Sequence, residues 1–205
     1  MQARAGSDTP VRTFTETARR AQIVAAAIDT LADVGYGAAS LSAIARRAGL
    51  SSTGLITYHF ANKAELIAEV VEEVIGVMRP FMAERIAAAQ DPAGMLRAYI
   101  RGNVEFIGTH RRHMKALLEV FVNGGVPFDA AANRSVSSPL EEILRAGQAT
   151  GQFRPGDARV IASAIQRAIE GTALLLESAP DLDLDLYAQE LLALFETGLH
   201  TGNPA

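Results

Sequence analysis

Between Ser51 and Lys63 the sequence SSTGLITYHFANK gathers hydroxyls, a phenol, an imidazole and an ammonium into one short stretch. Nothing local sets a nucleophile beside a base, so the chemistry these groups suit is recognition. Hydroxyls at Ser52, Thr53 and Thr57 can bond base edges or phosphates, and Tyr58, His59 and Lys63 extend polar ends toward a polyanion. Gly54 falls inside a short helical pattern, where glycine costs ~1 kcal/mol relative to alanine. Close approach of another backbone is one reason to keep it. The competing reading is a small surface hairpin of helices in which Tyr58 and His59 merely pack.

Two helices must position these groups. Leu41, Ile44, Ala45 and Ala48 recur at helical spacing and share one face. Gly49 ends that helix by taking a left-handed backbone, and Ser51 or Ser52 can accept the free N–H groups that open the next. The second helix is expected over about 52–60, with Leu55 and Ile56 inward and Thr53, Gly54, Thr57, Tyr58 and His59 at or near the exposed side.

This outline resembles the DNA-binding part of the tetracycline-repressor (TetR) family of bacterial regulators. The resemblance covers about 15–77 and rests on Ile44-Ala45 with Ala48-Gly49, on Gly54-Leu55-Ile56-x-Tyr58-His59-Phe60, and on Lys63-x-x-Leu66. Thr53 departs from the commonest pattern, which bears on base preference and leaves the fold unaffected. From its composition and apolar periodicity the chain reads as all-α, with about nine helices. It divides into an arm over 1–14, a helix-turn-helix domain over 15–62 and a ligand-binding and dimerisation domain over 63–205. The expected DNA contacts are Ser40, Ser42, Ser52, Thr53, Gly54, Thr57, Tyr58, His59 and Lys63, on double-stranded DNA carrying an inverted repeat. A small-molecule effector in the second domain would change the separation of the two reading heads and release the DNA. Coupling of that kind is reciprocal, so operator DNA weakens effector binding by the same factor.

Charge distribution agrees. Seven basic and four acidic residues up to Lys63 give +3, while twelve basic and nineteen acidic residues give −7 over the rest. The net charge of −4 and pI near 5.6 would not suggest a DNA binder, but a basic end on an acidic body concentrates attraction where the reading helix lies. Hydrophobic residues make up 49% of the 205, enough for a sizeable core, and alanine throughout favours helix. The absence of cysteine removes disulfides and thiolate metal sites and suits a cytoplasmic protein. No stretch approaches the roughly 20 apolar residues of a membrane helix.

Elsewhere the pattern is helical. A first helix over about 15–34 carries Val24, Ala27, Ile28, Leu31 and Val34 as an apolar stripe and stops at Gly35 and Gly37. A long helix opens at Asn62, whose side chain caps it while Glu65 reaches back, and runs past Pro80 to about Ala89. Three more are expected near 93–108, 110–123 and 134–150. The last two, over about 157–178 and 183–199, are apolar around so wide an arc that two sides must be buried. One side meets the domain core; the other meets the same pair in a second copy, with Ile161, Ile165, Ile169, Leu176, Leu191, Leu194 and Phe195 as the expected homodimer interface. A thick monomer core is the alternative. For the effector pocket, Met78, Phe81, Met95, Tyr99, Phe106, Met114, Phe121 and Gln166 offer adaptable thioethers, aromatics and two orienting polar groups, although core filling accounts for such residues equally well.

Other chemistry falls away. Gly35-Tyr36-Gly37 follows a helix and lacks the strand and final glycine of a dinucleotide site. His110 and His113 lack a third metal ligand. Asp181, Asp183 and Asp185 lack the calcium-loop spacing, and one of them caps the last helix. No metal, cofactor or catalytic residue is expected. A regulator, most simply a repressor, is the leading reading; an all-helical carrier or enzyme with structural N-terminal helices is the alternative.

Overall fold

The structure, a computed structural model, describes residues 14–125 and 130–200, with side chains from residue 139 onward in the second segment. The described residues form nine helices and no strand: α1 Phe14–Ala38, α2 Leu41–Arg47, α3 Gly54–His59, α4 Lys63–Ala87, α5 Pro92–Thr109, α6 Arg111–Val122, α7 Ala130–Ala149, α8 Ala158–Ser178 and α9 Leu184–Leu199. The expected arm lies outside the described residues except for Phe14.

Helix ends are set by local chemistry. Asn62 Oδ1 accepts the Glu65 N–H at 2.9 Å, and Glu65 Oε2 accepts the Ala61 N–H at 2.7 Å, a reciprocal cap. Asp157 and Asp183 cap α8 and α9 through backbone N–H groups of the first turn. Gly49, at φ +66°, closes α2, with the Leu50 N–H reaching back to the Ala45 carbonyl at 2.9 Å. Gly35, at φ +76°, interrupts α1, which resumes for one short turn to Ala38. The long helix α4 runs through Pro80 and stops at Ala87, two residues short of expectation, while α7 begins at Ala130, four residues early.

Two apolar cores result. The first joins α1, α2 and α3 through Ile23, Ile28, Leu31, Ile44, Ile56 and Phe60, and it also takes Leu66, Val70 and Val74 from α4 and Ala116, Leu117 and Val120 from α6. The second joins the far half of α4 to α5, α7, α8 and α9 around Leu96, Ile100, Leu140, Leu144, Ile165 and Leu192. Helix α4 therefore contributes to both cores, which joins α1, α2 and α3 to the C-terminal body through one continuous element.

Candidate nucleic-acid interface

The short helix α3 presents two distinct sides. Ile56 is fully buried and Phe60, just after the helix, is nearly so. Thr53, Gly54, Thr57 and Tyr58 share the opposite side, spaced so that they fall within one arc of the helix. Leu55 does not pack inward as the sequence suggested; it is 40% exposed, because a six-residue helix buries a single row and Ile56 occupies it.

The outward residues are free to meet a partner. Tyr58 is 73% exposed, its hydroxyl 3.5 Å from Glu16 Oε1, and Thr57 donates to the Gly54 carbonyl at 3.2 Å. Ser52 is exposed, and Thr53 stands half-buried at the N-cap position without a side-chain capping bond. A Cβ built on Gly54 meets only Ser52 Oγ, at 3.4 Å, an ordinary contact. The chain itself therefore supplies no steric reason for glycine at this exposed position. Ser40 caps α2 by accepting the Ala43 N–H at 3.1 Å, and Ser42, the second residue of the helix, stands exposed.

Two of the expected contact residues are committed to holding the site together. Lys63 is half-buried, donates to the Tyr36 carbonyl at 2.9 Å and lies 4.4 Å from the centre of the Tyr36 ring; burial pushes its ammonium pKa down. His59 is half-buried, its ring set edge-on to Tyr58 at 5.0 Å.

Arg20 secures the helix from behind. Its guanidinium, buried on α1, donates to the His59 carbonyl at the end of α3, pairs with Glu69 of α4 at 2.7 Å and lies over the Phe60 ring at 4.0 Å. In the sequence Arg20 is only one of the seven basic residues up to Lys63, since partners 39 and 49 residues away leave no local trace. Gln22 adds a bond from α1 to the Ala48 carbonyl at 2.6 Å.

Part of the basic surplus is likewise paired within the chain. Arg4 and Arg12 lie outside the described residues. Arg47 pairs with Asp33 at 2.5 Å, and Arg112 of α6 bridges Asp29 and Asp33 at 2.5 and 2.9 Å. Arg112 beside it is the first cause holding the Asp33 carboxyl below its usual pKa. Arg46 is exposed and has no ion-pair partner among the described residues.

In the second core Tyr99 donates to Gln166 Oε1 at 2.9 Å, and Gln166 Nε2 donates to Glu170 at 3.0 Å. Burial, reinforced by the Glu170 carboxylate, pushes the Tyr99 phenol up to about 12. Phe81 and Phe106 meet edge to face at 5.2 Å, and Met78, Met95 and Met114 pack around this core. Phe121 stands apart from that set because α6 turns it toward the first core.

Helices α8 and α9 leave an apolar surface outside: Val160, Leu174, Leu175, Leu186 and Leu194, with Val160 and Leu194 each 64% exposed. Of the expected interface residues, Leu194 belongs to that surface, and Ile161 and Phe195 are half-buried against the second core. Ile165, Ile169, Leu176 and Leu191 are buried in the chain's own core. The correction is a rotation: periodicity identified helices apolar on two sides without fixing which residues faced which.

Among the described residues no group of three metal-ligating side chains is present and no helix is long and apolar enough to cross a membrane.

Residues 23–70 match the family model described as bacterial regulatory proteins, tetR family. The HTH-type transcriptional regulator BetI of Cronobacter sakazakii is 33% identical over 108 residues, 51% of this chain and 52% of that protein. The chain thus spans about half the length of the curated relatives it matches. In fold it is similar to the transcriptional regulator FadR from Bacillus subtilis in complex with stearoyl-CoA, with TM-score 0.74, 22% identity and coverage of 88% of this chain and 99% of that one. AibR in complex with isovaleryl coenzyme A and operator DNA gives TM-score 0.74 at 18% identity, over 86% and 97% of the two chains.

Proposed function

We propose, from the match of residues 23–70 to the tetR family of bacterial regulatory proteins, that the chain is a member of that family and a homodimeric, ligand-responsive transcriptional regulator that reads double-stranded DNA with α3. The carrying observation is the exposed side of α3, where Thr53, Gly54, Thr57 and Tyr58 face outward on a helix clamped from behind by Arg20. Hydroxyls and a phenol suit base edges in the major groove, and Gly54 lets backbone approach closely. Ser40, Ser42 and Ser52 flank this side and suit phosphates, which fix register without specifying sequence. Lys63 acts from one step behind, by holding the start of α4 against the end of α1.

One short helix reads few base pairs, so specificity calls for two copies related by a two-fold axis and an inverted-repeat operator. The exposed leucines and Val160 on α8 and α9 are the surface for that pairing, with Ile161 and Phe195 at its rim. The reading domain, 15–62, ends at the cap of α4, and the body, 63–205, receives the effector between α4, α5 and α8 near Met78, Phe81, Met95, Tyr99, Phe106, Met114 and Gln166. Fold neighbours solved with acyl-coenzyme A ligands support a small-molecule effector there. The relatives are named as transcriptional regulators, and no catalytic step is assigned to the chain. Repression by operator occupancy in the cytoplasm is the simplest mode.

The test is selection of bound fragments from genomic DNA by the purified full-length protein, followed by fluorescence-anisotropy titration at stated salt against random competitor. Sequence-selective binding to an inverted repeat is the expected result. Affinity no greater than for random DNA, with an empty selection, would overturn the proposal.

A further inference from the structure

Two buried threonines differ in a way that packing does not explain. Thr30 on α1 donates its hydroxyl to the Ala26 carbonyl one turn back, at 2.6 Å. Thr172 on α8 is fully buried, 0% exposed, yet its hydroxyl has no hydrogen-bond partner among the described residues. The carbonyl one turn behind it, that of Ala168, accepts the Tyr187 phenol at 3.1 Å. Threonine in a helix ordinarily returns its hydroxyl to that carbonyl, and a buried hydroxyl without a partner is destabilising, so its presence calls for a reason.

The surroundings restrict what that reason can be. Thr172 lies on the side of α8 that carries Ile165, Ile169 and Leu176 into the second core. The other buried polar side chains of that core are uncharged: Tyr99 donates to Gln166, Asn103 to the Tyr99 carbonyl at 2.8 Å, and Gln166 to the half-buried Glu170 carboxylate at 3.0 Å, which would itself repel an anion. Charged side chains of the same helices pair nearer the surface, as Arg85 with Glu105, Lys115 with Glu177 and Arg167 with Glu170. A carboxylate brought to Thr172 would leave water without a counter-charge in the core, which is strongly unfavourable.

We propose that Thr172 is the hydrogen-bonding point of the effector site, and that the part of the effector received there is uncharged and largely apolar, bearing a hydroxyl or carbonyl oxygen. This rests on the reading of the C-terminal body as the effector-binding part. Met78, Met82 and Met114, unbranched thioethers packed against this core, are the side chains suited to move aside for it.

The experiment titrates the full-length protein with decan-1-ol, methyl decanoate and decanoate, read by thermal shift and isothermal calorimetry. Decan-1-ol and methyl decanoate should bind and raise Tm, with decanoate at least tenfold weaker. Thr172→Val keeps the shape and removes the hydroxyl: the free protein should melt higher, while affinity for decan-1-ol falls about tenfold, the scale of one hydrogen bond. Thr172→Ser, which retains the hydroxyl, should keep the wild-type preference and covers the case in which the valine variant misfolds. A free Thr172→Val protein that melts lower, as when a buried water or the fold itself uses the hydroxyl, would overturn the proposal. So would equal binding of decanoate, unchanged decan-1-ol affinity in the valine variant, or no binding of any probe. Sequence-selective DNA binding by the wild type is measured without probe, so failure of the regulator reading shows itself separately.

Discussion

The two cores differ in how their polar groups are used. In the N-terminal head two cations tie helices together, buried Arg20 joining α1 to α3 and α4 and half-buried Lys63 joining α4 to Tyr36, while Thr30 bonds its own helix. In the body the buried polar groups form a short line along α5 and α8, and one of them, Thr172, is left without a partner. A surface that reads DNA needs one fixed geometry, and long-range charged bonds supply it. A site that admits a ligand needs spare hydrogen-bonding capacity, and spare capacity is a local cost to stability.

The outer surface of the body gives the largest test of that contrast. Leu194→Glu changes a residue exposed on the single chain, so helicity should be preserved while the charge opposes burial of α8 and α9 against a second copy. Sedimentation should show monomer, and affinity for a full inverted repeat should fall by about 100-fold or more with loss of two-headed binding. A stable dimer at the same concentration would break the assignment.

Arg20→Ala tests the head. Truncation leaves the His59 carbonyl and Glu69 without their shared donor and should lower stability by about 2–3 kcal/mol, read as a shifted urea midpoint; Glu69 is half-exposed, which holds the loss below that of a fully buried pair. Arg20→Lys should recover only part, because an ammonium cannot serve both partners and lie flat on Phe60. Recovery in full would mean that charge alone matters and that the fixed geometry claimed for the head is overstated.

Tyr99 sharpens the other side. Its phenol titrates near 10 in the unfolded chain and at about 12 in the folded one, so above pH 10 the unfolded state loses a proton that the folded state keeps. Stability should therefore fall from about pH 10 to pH 12, by about 2–3 kcal/mol in all from this group. In Tyr99→Phe that part of the slope should vanish, with urea midpoints compared at each pH; identical slopes in the two proteins would remove the buried polar line as an energetic feature.

What could be read in advance follows the range of the interaction. Caps and stops act within one turn, so Asn62, Glu65 and Gly49 were legible as residue types at fixed offsets, and the cap of α9 as one of three aspartates. The two-sided apolar character of α8 and α9 was legible as well, but its rotation was not, because Ile165 and Leu174 are equivalent by composition and only packing separates them. Arg20 was missed for the opposite reason: its character comes entirely from residues distant in the chain. Thr172 carried no signal, since an unpartnered hydroxyl is defined by what Ala168 and Tyr187 do with each other.

The smallest effects separate contact from positioning within the head. Lys63→Ala should weaken binding to every sequence, by about 1 kcal/mol, through lost support of α4 against Tyr36. Because its ammonium is engaged by that carbonyl, the slope of affinity against salt should change by much less than the value of about one expected for a lost phosphate contact. Thr57→Ala removes an exposed hydroxyl with one weak local bond, so stability should hold within about 0.5 kcal/mol. Its effect belongs in preference, with relative affinities among operator variants shifting by about 1 kcal/mol at one base step and little elsewhere. Anisotropy titrations of both variants across a panel of single-base operator changes and three salt concentrations distinguish the roles. A uniform loss for Thr57→Ala with a flattened salt slope for Lys63→Ala would reverse them, making Lys63 the phosphate contact and Thr57 a support.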